Sequence, residues 1–275
     1  MRCYNWHYPT PMKYMKEKIM GRIIAIANQK GGVGKTTTAI NLAACLAEKG
    51  KKVLAIDMDS QGNMTSGFGV DRSELQNSIY ETLIGECNLG ESMLMNVFKN
   101  LNLVPSSENL AGVEVEFIDT DKPQYILKNI VQGIRKNFDF IIIDCPPALG
   151  MLTINALTAA DTVIVPIQCE FYALEGLSQL IHTIDMIKSK LNKNLYIEGV
   201  VFTMYDGRNN LSKEVVENVK NNLDELIYDT VVPRNVRLAE APSFGLPINL
   251  YDTRSSGAEA YRALADEVIK NKLFQ

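Results

Sequence analysis

Lys30 to Thr37 reads K-G-G-V-G-K-T-T, set between the apolar run Ile23 to Ala27 and the helix-like segment Thr36 to Lys49. A strand that passes through a glycine-rich turn into a helix brings several backbone N–H groups to one point. Gly31, Gly32 and Gly34 keep side chains out of that point and permit the dihedrals it needs. The resulting concavity suits the phosphates of a nucleoside triphosphate. Lys35 is spaced to place a point charge on the β and γ phosphates and Thr36 to offer its hydroxyl to Mg²⁺. Val33 and Thr37 complete the loop, and the helix N-terminus adds a favourable dipole.

The remaining apolar runs are Val53 to Asp57, Leu101 to Pro105, Phe140 to Asp144, Thr162 to Gln168 and Leu195 to Thr203. Each is short and nearly continuous, as strands buried on both faces of a parallel sheet are. Helical patterns separate them at Thr36 to Lys49, Pro123 to Asn137, Thr153 to Ala160, Ala173 to Lys190 and Ser212 to Leu223. Pro123 suits a first helical turn, and Gly50 a left-handed cap. The alternation predicts an α/β fold, a predominantly parallel twisted sheet with helices on both faces. Function in such sheets gathers at the carboxyl ends of strands, where this chain carries the phosphate loop, Asp57 and Asp144. A last helix is expected over Ser255 to Leu273, with Ala258, Tyr261, Leu264, Ala265 and Val268 on its apolar face.

Two acidic segments complete the site. After Val53 to Ile56 comes D-M-D-S-Q-G-N, which puts Asp57 and Asp59 on one side of an extended chain before a polar turn. Phosphoryl transfer asks for positioning rather than covalent chemistry, so an acid that orients the attacking water is expected near the γ-phosphate. Phe138 to Pro147 reads F-D-F-I-I-I-D-C-P-P, a strand ending in Asp144, the acid expected to accept from Mg²⁺-bound water. Pro146 and Pro147 stiffen the loop that follows. Cys145 is read as packing, because no nearby His supports a nucleophile.

A general phosphate loop has glycine at position 29; this chain has Gln29, with Lys30 directly before the paired glycines. The form K-G-G-x-G-K-[ST] resembles the deviant Walker A loop of the ParA/MinD ATPase superfamily. The resemblance implies that Lys30 reaches the nucleotide of a partner subunit. The D-M-D-S-Q segment is similar to the family's D-x-D-P-Q, with Ser60 where proline is common, which implies that Asp59 positions the water while Asp57 supports the loop and the Mg²⁺ shell. V-V-F-T-M-Y-D-G-R-N-N from Val200 and V-V-P-R-N-V-R-L-A-E-A-P-S-F-G from Val231 look like chromosomal ParA of the Soj-like branch. By that likeness Thr203, Met204, Pro233 and Asn235 line the base, Arg208 and Arg237 touch DNA phosphates, and Arg254 extends the patch.

The resemblance spans about Met20 to Lys270 and implies an ATP- and Mg²⁺-dependent ATPase. As an ATP-bound homodimer it would bind nonspecific double-stranded DNA, and hydrolysis stimulated by a ParB-like centromere-binding partner would release it. The implied location is cytoplasmic and nucleoid-associated. Charge alone does not predict DNA binding: the formal net charge is −4, and Tyr205 to Arg237 holds five Lys/Arg against six Asp/Glu. Any DNA contact must therefore use a local patch, which dimerisation would double.

Three other readings stay open. A MinD-like membrane-associated positioning ATPase shares the loop, but the final segment is not a basic amphipathic anchor, so no membrane contact is expected. An iron-sulfur carrier would need paired cysteines, whereas the five here (Cys3, Cys45, Cys87, Cys145, Cys169) are scattered, as in a chain kept reduced. A non-enzymatic DNA-binding regulator would hold ATP only as a ligand. No run approaches the roughly 18 apolar residues of a membrane span. Residues 1 to 19 lack a secretory apolar region and are read as a flexible extension to one ATPase domain over 20 to 275. Met12, Met15 and Met20 are alternative starts, and Tyr4, Trp6, Tyr8 and Tyr14 a candidate docking set.

Overall fold

Strand β1 (Arg22–Ile26) lies inside an eight-stranded sheet with β2 (Val53–Asp57), β3 (Leu94–Phe98), β4 (Leu101–Val104), β5 (Phe140–Asp144), β6 (Thr162–Gln168), β7 (Tyr196–Tyr205) and β8 (Ile227–Pro233). The order is β3-β4-β2-β5-β1-β6-β7-β8, and every pairing is parallel except the β3-β4 hairpin. The structure is a computed structural model and describes residues 21–170, 173–223 and 227–271. The extension with its four aromatics and alternative starts lies outside the described residues, as does Leu273.

The helices are α1 (Lys35–Glu48), α2 (Asn63–Gly67), α3 (Ile79–Ile84), α4 (Leu89–Ser92), α5 (Val113–Glu116), α6 (Ile126–Ile134), α7 (Met151–Ala159), α8 (Ala173–Lys190), α9 (Asn210–Leu223), α10 (Val236–Glu240), α11 (Ile248–Tyr251) and α12 (Ser256–Lys270). The continuous apolar strands are explained by burial on both faces. Ile23, Ala25, Leu54, Ile56, Ile141 and Ile143 join one core with α3, α6, α7, α8 and α9. Their neighbours Ile24, Ile26, Val53, Ala55, Phe140 and Ile142 join a second core with α1 and α12.

Two strands escaped the sequence reading because neither is a continuous apolar run. In β3 every residue is at least partly exposed and Asn96 takes a positive φ of 52°. In β8, Asp229 faces solvent. Both are edge strands, and an edge needs only one apolar face. The β8 edge is also blunted: the Glu267 carboxylate accepts from the backbone N–H groups of Asp229 (2.8 Å) and Thr230 (2.9 Å). The segment Pro123 to Asn137 divides into a 3-10 turn holding Pro123, helix α6 and a second 3-10 turn Arg135–Asn137. Gly50 takes the left-handed conformation expected of a cap, at φ 80°.

Helix α12 buries Ala258, Tyr261, Leu264, Ala265 and Val268, the face expected from its spacing. The Tyr261 hydroxyl meets Thr38 Oγ1 at 3.2 Å on α1, which follows directly from the phosphate loop. At the amino ends of the strands, buried Glu198 accepts from Thr162 Oγ1 (2.6 Å) and the Tyr228 hydroxyl (3.1 Å), with Arg22 at 3.4 Å. Arg22 in turn donates to the Val268 carbonyl at 2.5 Å. The last helix thus holds the back of the phosphate-loop helix. No helix among the described residues is long and apolar enough to cross a membrane.

Leu264 has no solvent exposure. Replacing it with Ala is expected to cost about 2–5 kcal/mol in urea unfolding, whereas Glu259→Ala, on the exposed face, should stay within about 0.5 kcal/mol. Equal effects would show that α12 does not dock through this face.

Candidate functional site

The register of three central strands assembles the site. Ile26 at the end of β1 and Asp57 at the end of β2 both pair with Asp144 at the end of β5. Cross-bonds continue past the strands, with Cys145 N donating to the Ile26 carbonyl (3.2 Å) and Met58 N to the Asp144 carbonyl (3.0 Å). Phosphate loop, Asp57 and Asp144 therefore share one edge.

Helix α1 begins with Gly34 at its N-cap, in the left-handed conformation at φ 86° and without a capping side chain. Its first-turn N–H donors are thus left for an anion, and the helix dipole points the same way. A Cβ on Gly34 would sit 3.6 Å from Thr203 Cγ2, so the constraint there is the dihedral rather than space. The loop is tied down on three sides. Thr203 Oγ1 donates to the Val33 carbonyl (2.8 Å), Asn28 Nδ2 to the Pro166 carbonyl (2.7 Å), and Gln29 Nε2 to Thr183 Oγ1 (3.2 Å). Gly31 and Gly32 stay exposed at its rim.

Lys35 is buried and donates to the Lys30 carbonyl at 3.2 Å. Burial pushes its ammonium below the ordinary value, while neighbouring Asp144, Cys145 and Asp59 push it back. Thr36 and Thr37 are half-buried on the first turn. Lys30 takes its backbone N–H to Asn28 Oδ1 (3.0 Å), and its ammonium pairs with Glu170 of the same chain.

Asp144 has no solvent exposure, and neither of its carboxylate oxygens has a hydrogen-bond partner. Its carboxyl is pushed well above the usual carboxylate range, first by burial and then by the Asp57 charge. The Thr36 hydroxyl stands beside it and favours the charged form, without closing a hydrogen bond onto either oxygen. A buried carboxylate with both oxygens unspent, next to a threonine hydroxyl and a phosphate-type loop, is the donor set that Mg²⁺ uses. That ion keeps several waters and takes only one or two carboxylates alongside substrate phosphates. No group of three or more His, Cys, Asp or Glu side chains that could hold a metal ion occurs among the described residues.

Asp57 is equally buried but differently employed. Its Oδ2 accepts from Thr65 N (2.8 Å) and Thr65 Oγ1 (2.7 Å), and its Oδ1 from Asp59 N (3.2 Å). Burial raises its pKa to about 6 against those hydrogen bonds. Its visible work is to fold the segment carrying Asp59. Asp59 is buried, and its Oδ1 accepts from Gln61 N at 3.0 Å. Cys145 is buried, and burial raises its thiol far above the reactive range. Sequence reasoning missed Thr65, Ser106 and Glu170, since each acts through a contact that only the folded chain creates.

The carboxy-terminal candidates lie on β7, β8 and α10 and in the turns beside them. Thr203 stands against the loop; Met204 follows with a positive φ of 51°, a strained conformation for a methionine at a strand end. Pro233 pairs with Tyr205. Asn235 spends its amide on the N-terminus of α10, accepting from Arg237 N (2.7 Å) and donating to Ser256 Oγ (2.8 Å). Arg208 forks onto Asp206 at 3.0 Å, and Arg237 pairs with Glu240 (2.9 Å) and lies 3.6 Å from Asp252. Neither is a free cation. Arg254 is exposed and has no ion-pair partner among the described residues.

A family model described as an AAA domain matches residues 21–197. The chain is 52% identical over 252 residues to the sporulation initiation inhibitor protein Soj of Bacillus subtilis, covering 92% of this chain and 100% of that protein. It is 50% identical over 251 residues to the chromosome partitioning protein ParA of Myxococcus xanthus, covering 91% and 89%. Among solved structures, cobyrinic acid a,c-diamide synthase of Mycobacterium smegmatis with bound ADP and magnesium superposes with a TM-score of 0.80. That match has 36% identity and covers 91% of this chain and 95% of that one.

The two buried acids make stability depend on pH. Because both folded-state pKa values lie above the ordinary carboxylate value, their contribution is full below about pH 4 and is lost as pH rises, through about 6 for Asp57 and through its own raised value for Asp144. Without magnesium and nucleotide, Asp144→Asn should therefore raise the melting temperature at pH 8, with the gain shrinking toward pH 5. An unchanged Tm at pH 8 would show that Asp144 carries no desolvation penalty.

Proposed function

The chain belongs to the ParA/Soj family of partitioning ATPases, and on that premise we propose that it is an ATP-switched DNA-partitioning protein. Two ATP-bound subunits form a sandwich dimer that binds double-stranded DNA without sequence preference, and hydrolysis stimulated by a ParB-like partner releases it. The observation that carries the reading is the meeting at one sheet edge of an uncapped helix N-terminus, buried Lys35 and the unpartnered Asp144 carboxylate. The M. smegmatis relative, with its bound ADP and magnesium, supports the same pair of ligands here.

In this reading the N–H groups of residues 31 to 37 cradle the phosphates and Lys35 neutralises the β and γ oxygens. Thr36 and Asp144 hold Mg²⁺, with Asp57 fixing the adjoining segment. The ion, when bound, neutralises charge that builds on the phosphates. Asp59 orients water for in-line attack. Thr203, Met204, Pro233 and Asn235 surround the base, Asn235 through edges not used in its cap. Lys30 serves the partner's nucleotide, and to reach it must leave Glu170. A ligand shifts an equilibrium only as far as it prefers one state, so ATP must bind the dimer better than the separated subunits.

Arg208, Arg237 and Arg254 form the DNA patch. Phosphates must displace Asp206 from Arg208, and Glu240 from Arg237, which keeps a single subunit weak. Doubling the contacts by dimerisation makes binding strong and steeply salt-dependent.

The test is salt-dependent binding to nonspecific duplex DNA with ATP, ADP or no nucleotide. ATP-specific binding is expected, lost in Arg237→Glu and in Lys35→Ala; absence of binding in every nucleotide state would overturn the DNA role. Asp59→Ala should keep ATP binding and dimerisation but stop turnover, and normal hydrolysis in that variant would remove the role given to Asp59.

A further inference from the structure

We infer that Arg72 is a positioning residue for hydrolysis, acting on the peptide plane that holds the Asp59 carboxylate. The inference rests on the proposed reading of Asp59 as the acid that orients water. The Ser60–Gln61 peptide unit is gripped at both ends: its N–H donates to Asp59 Oδ1 (3.0 Å), and its carbonyl, that of Ser60, accepts from Arg72 Nη2 (3.0 Å). The other arm of the guanidinium, Nη1, donates to the next carbonyl, that of Gln61, at 2.6 Å. A planar fork with fixed donors suits two successive carbonyls. Withdrawing charge from the Ser60 carbonyl also makes the Gln61 N–H a better donor to Asp59. Asp59 Oδ2 has no hydrogen-bond partner among the described residues, so one oxygen is fixed and the other is available to a water.

The rest of the surroundings agree with a clamp. Arg72 opens a 3-10 turn, Arg72–Glu74, which Asp71 caps by accepting from Ser73 N (2.9 Å) and Ser73 Oγ (2.7 Å). Its side chain lies flat across Gly62: a Cβ there would fall 2.7 Å from Arg72 Nε. From the opposite side, buried Ser106 donates through Oγ to the Asp59 carbonyl (2.6 Å) and through N to Thr65 Oγ1 (2.9 Å). Three consecutive carbonyls, those of Asp59, Ser60 and Gln61, are thus held from outside the turn. The nearest acid to Arg72, Glu108, is 3.9 Å away with a side chain 92% exposed, too loose and too wet to be the purpose of the arginine.

The experiment is a double-mutant cycle in the full chain, read by single-turnover hydrolysis of radiolabelled ATP with DNA present, alongside ATP affinity and melting temperature. Arg72→Ala should lower the rate about tenfold or more while ATP affinity stays within about twofold. Arg72→Lys, whose ammonium reaches one carbonyl at a time, should recover part of the rate, and it replaces the alanine variant if that one fails to fold. The slow residual hydrolysis left in an Asp59→Ala background, read over long incubations, should change by less than about twofold on adding Arg72→Ala, because the group it positions is gone. Multiplying effects in the double variant, or a wild-type rate in Arg72→Ala while Asp59→Ala is inactive, would overturn the role of Arg72 alone. Full turnover in Asp59→Ala would instead remove the reading on which it rests.

Discussion

A carboxylate removed from water and offered no hydrogen-bond donor is unstable unless a proton or a cation meets it. Asp144 is held in that condition by strands on both sides, paired with Asp57 on β2 and with Ile26, the last residue of β1 before the phosphate loop. The two cores fix β5 between its neighbours, so Asp144 cannot retreat to solvent. What the fold stores at this edge is an unmet need for positive charge. Lys35 meets part of it, and its own burial keeps it from meeting all. In the proposed reading a magnesium nucleotide would bring the cation together with the phosphates at the uncapped helix, and so would satisfy both ends of the site at once.

Asp57, paired with Asp144 across the sheet, shows how the same residue type takes a different part through its partners. Three hydrogen bonds from Thr65 and Asp59 turn it inward, where it folds the segment that bears Asp59. That segment is then held by Ser106 from the end of β4 and by Arg72 from the following turn. In the proposed reading this rigidity has a chemical use, since in-line attack depends on where one water stands and small displacements are costly. Lys30 is the contrasting case. Its ion pair with Glu170 is partly exposed, so little holds the side chain in place.

The strands and the phosphate loop were legible because their physical requirements are local. Burial on both faces demands unbroken apolar residues, and an anion cradle demands glycines followed by Lys35 and Thr36. The same reading passed over β3 and β8, whose edge positions ask for only one apolar face. Nor does sequence show that Arg208 pairs with Asp206, or Arg237 with Glu240 and Asp252, since each pair depends on how the chain folds. Asn235 was likewise read toward the base while its amide caps α10.

By itself, the sequence determined that this chain forms a predominantly parallel α/β sheet with a phosphate loop after its first strand, and that Asp57 and Asp144 lie at strand ends with Asp59 just beyond. Those properties are written in runs of neighbouring residues. Only the tertiary structure decided which acid lacks a partner and which is spent on its own loop. It also decided that Arg72 and Ser106, from separate segments, close on the backbone beside Asp59. The physical reason is that hydrogen bonding and desolvation depend on what surrounds a group in space, and for these residues the surroundings come from strands and turns distant in the chain.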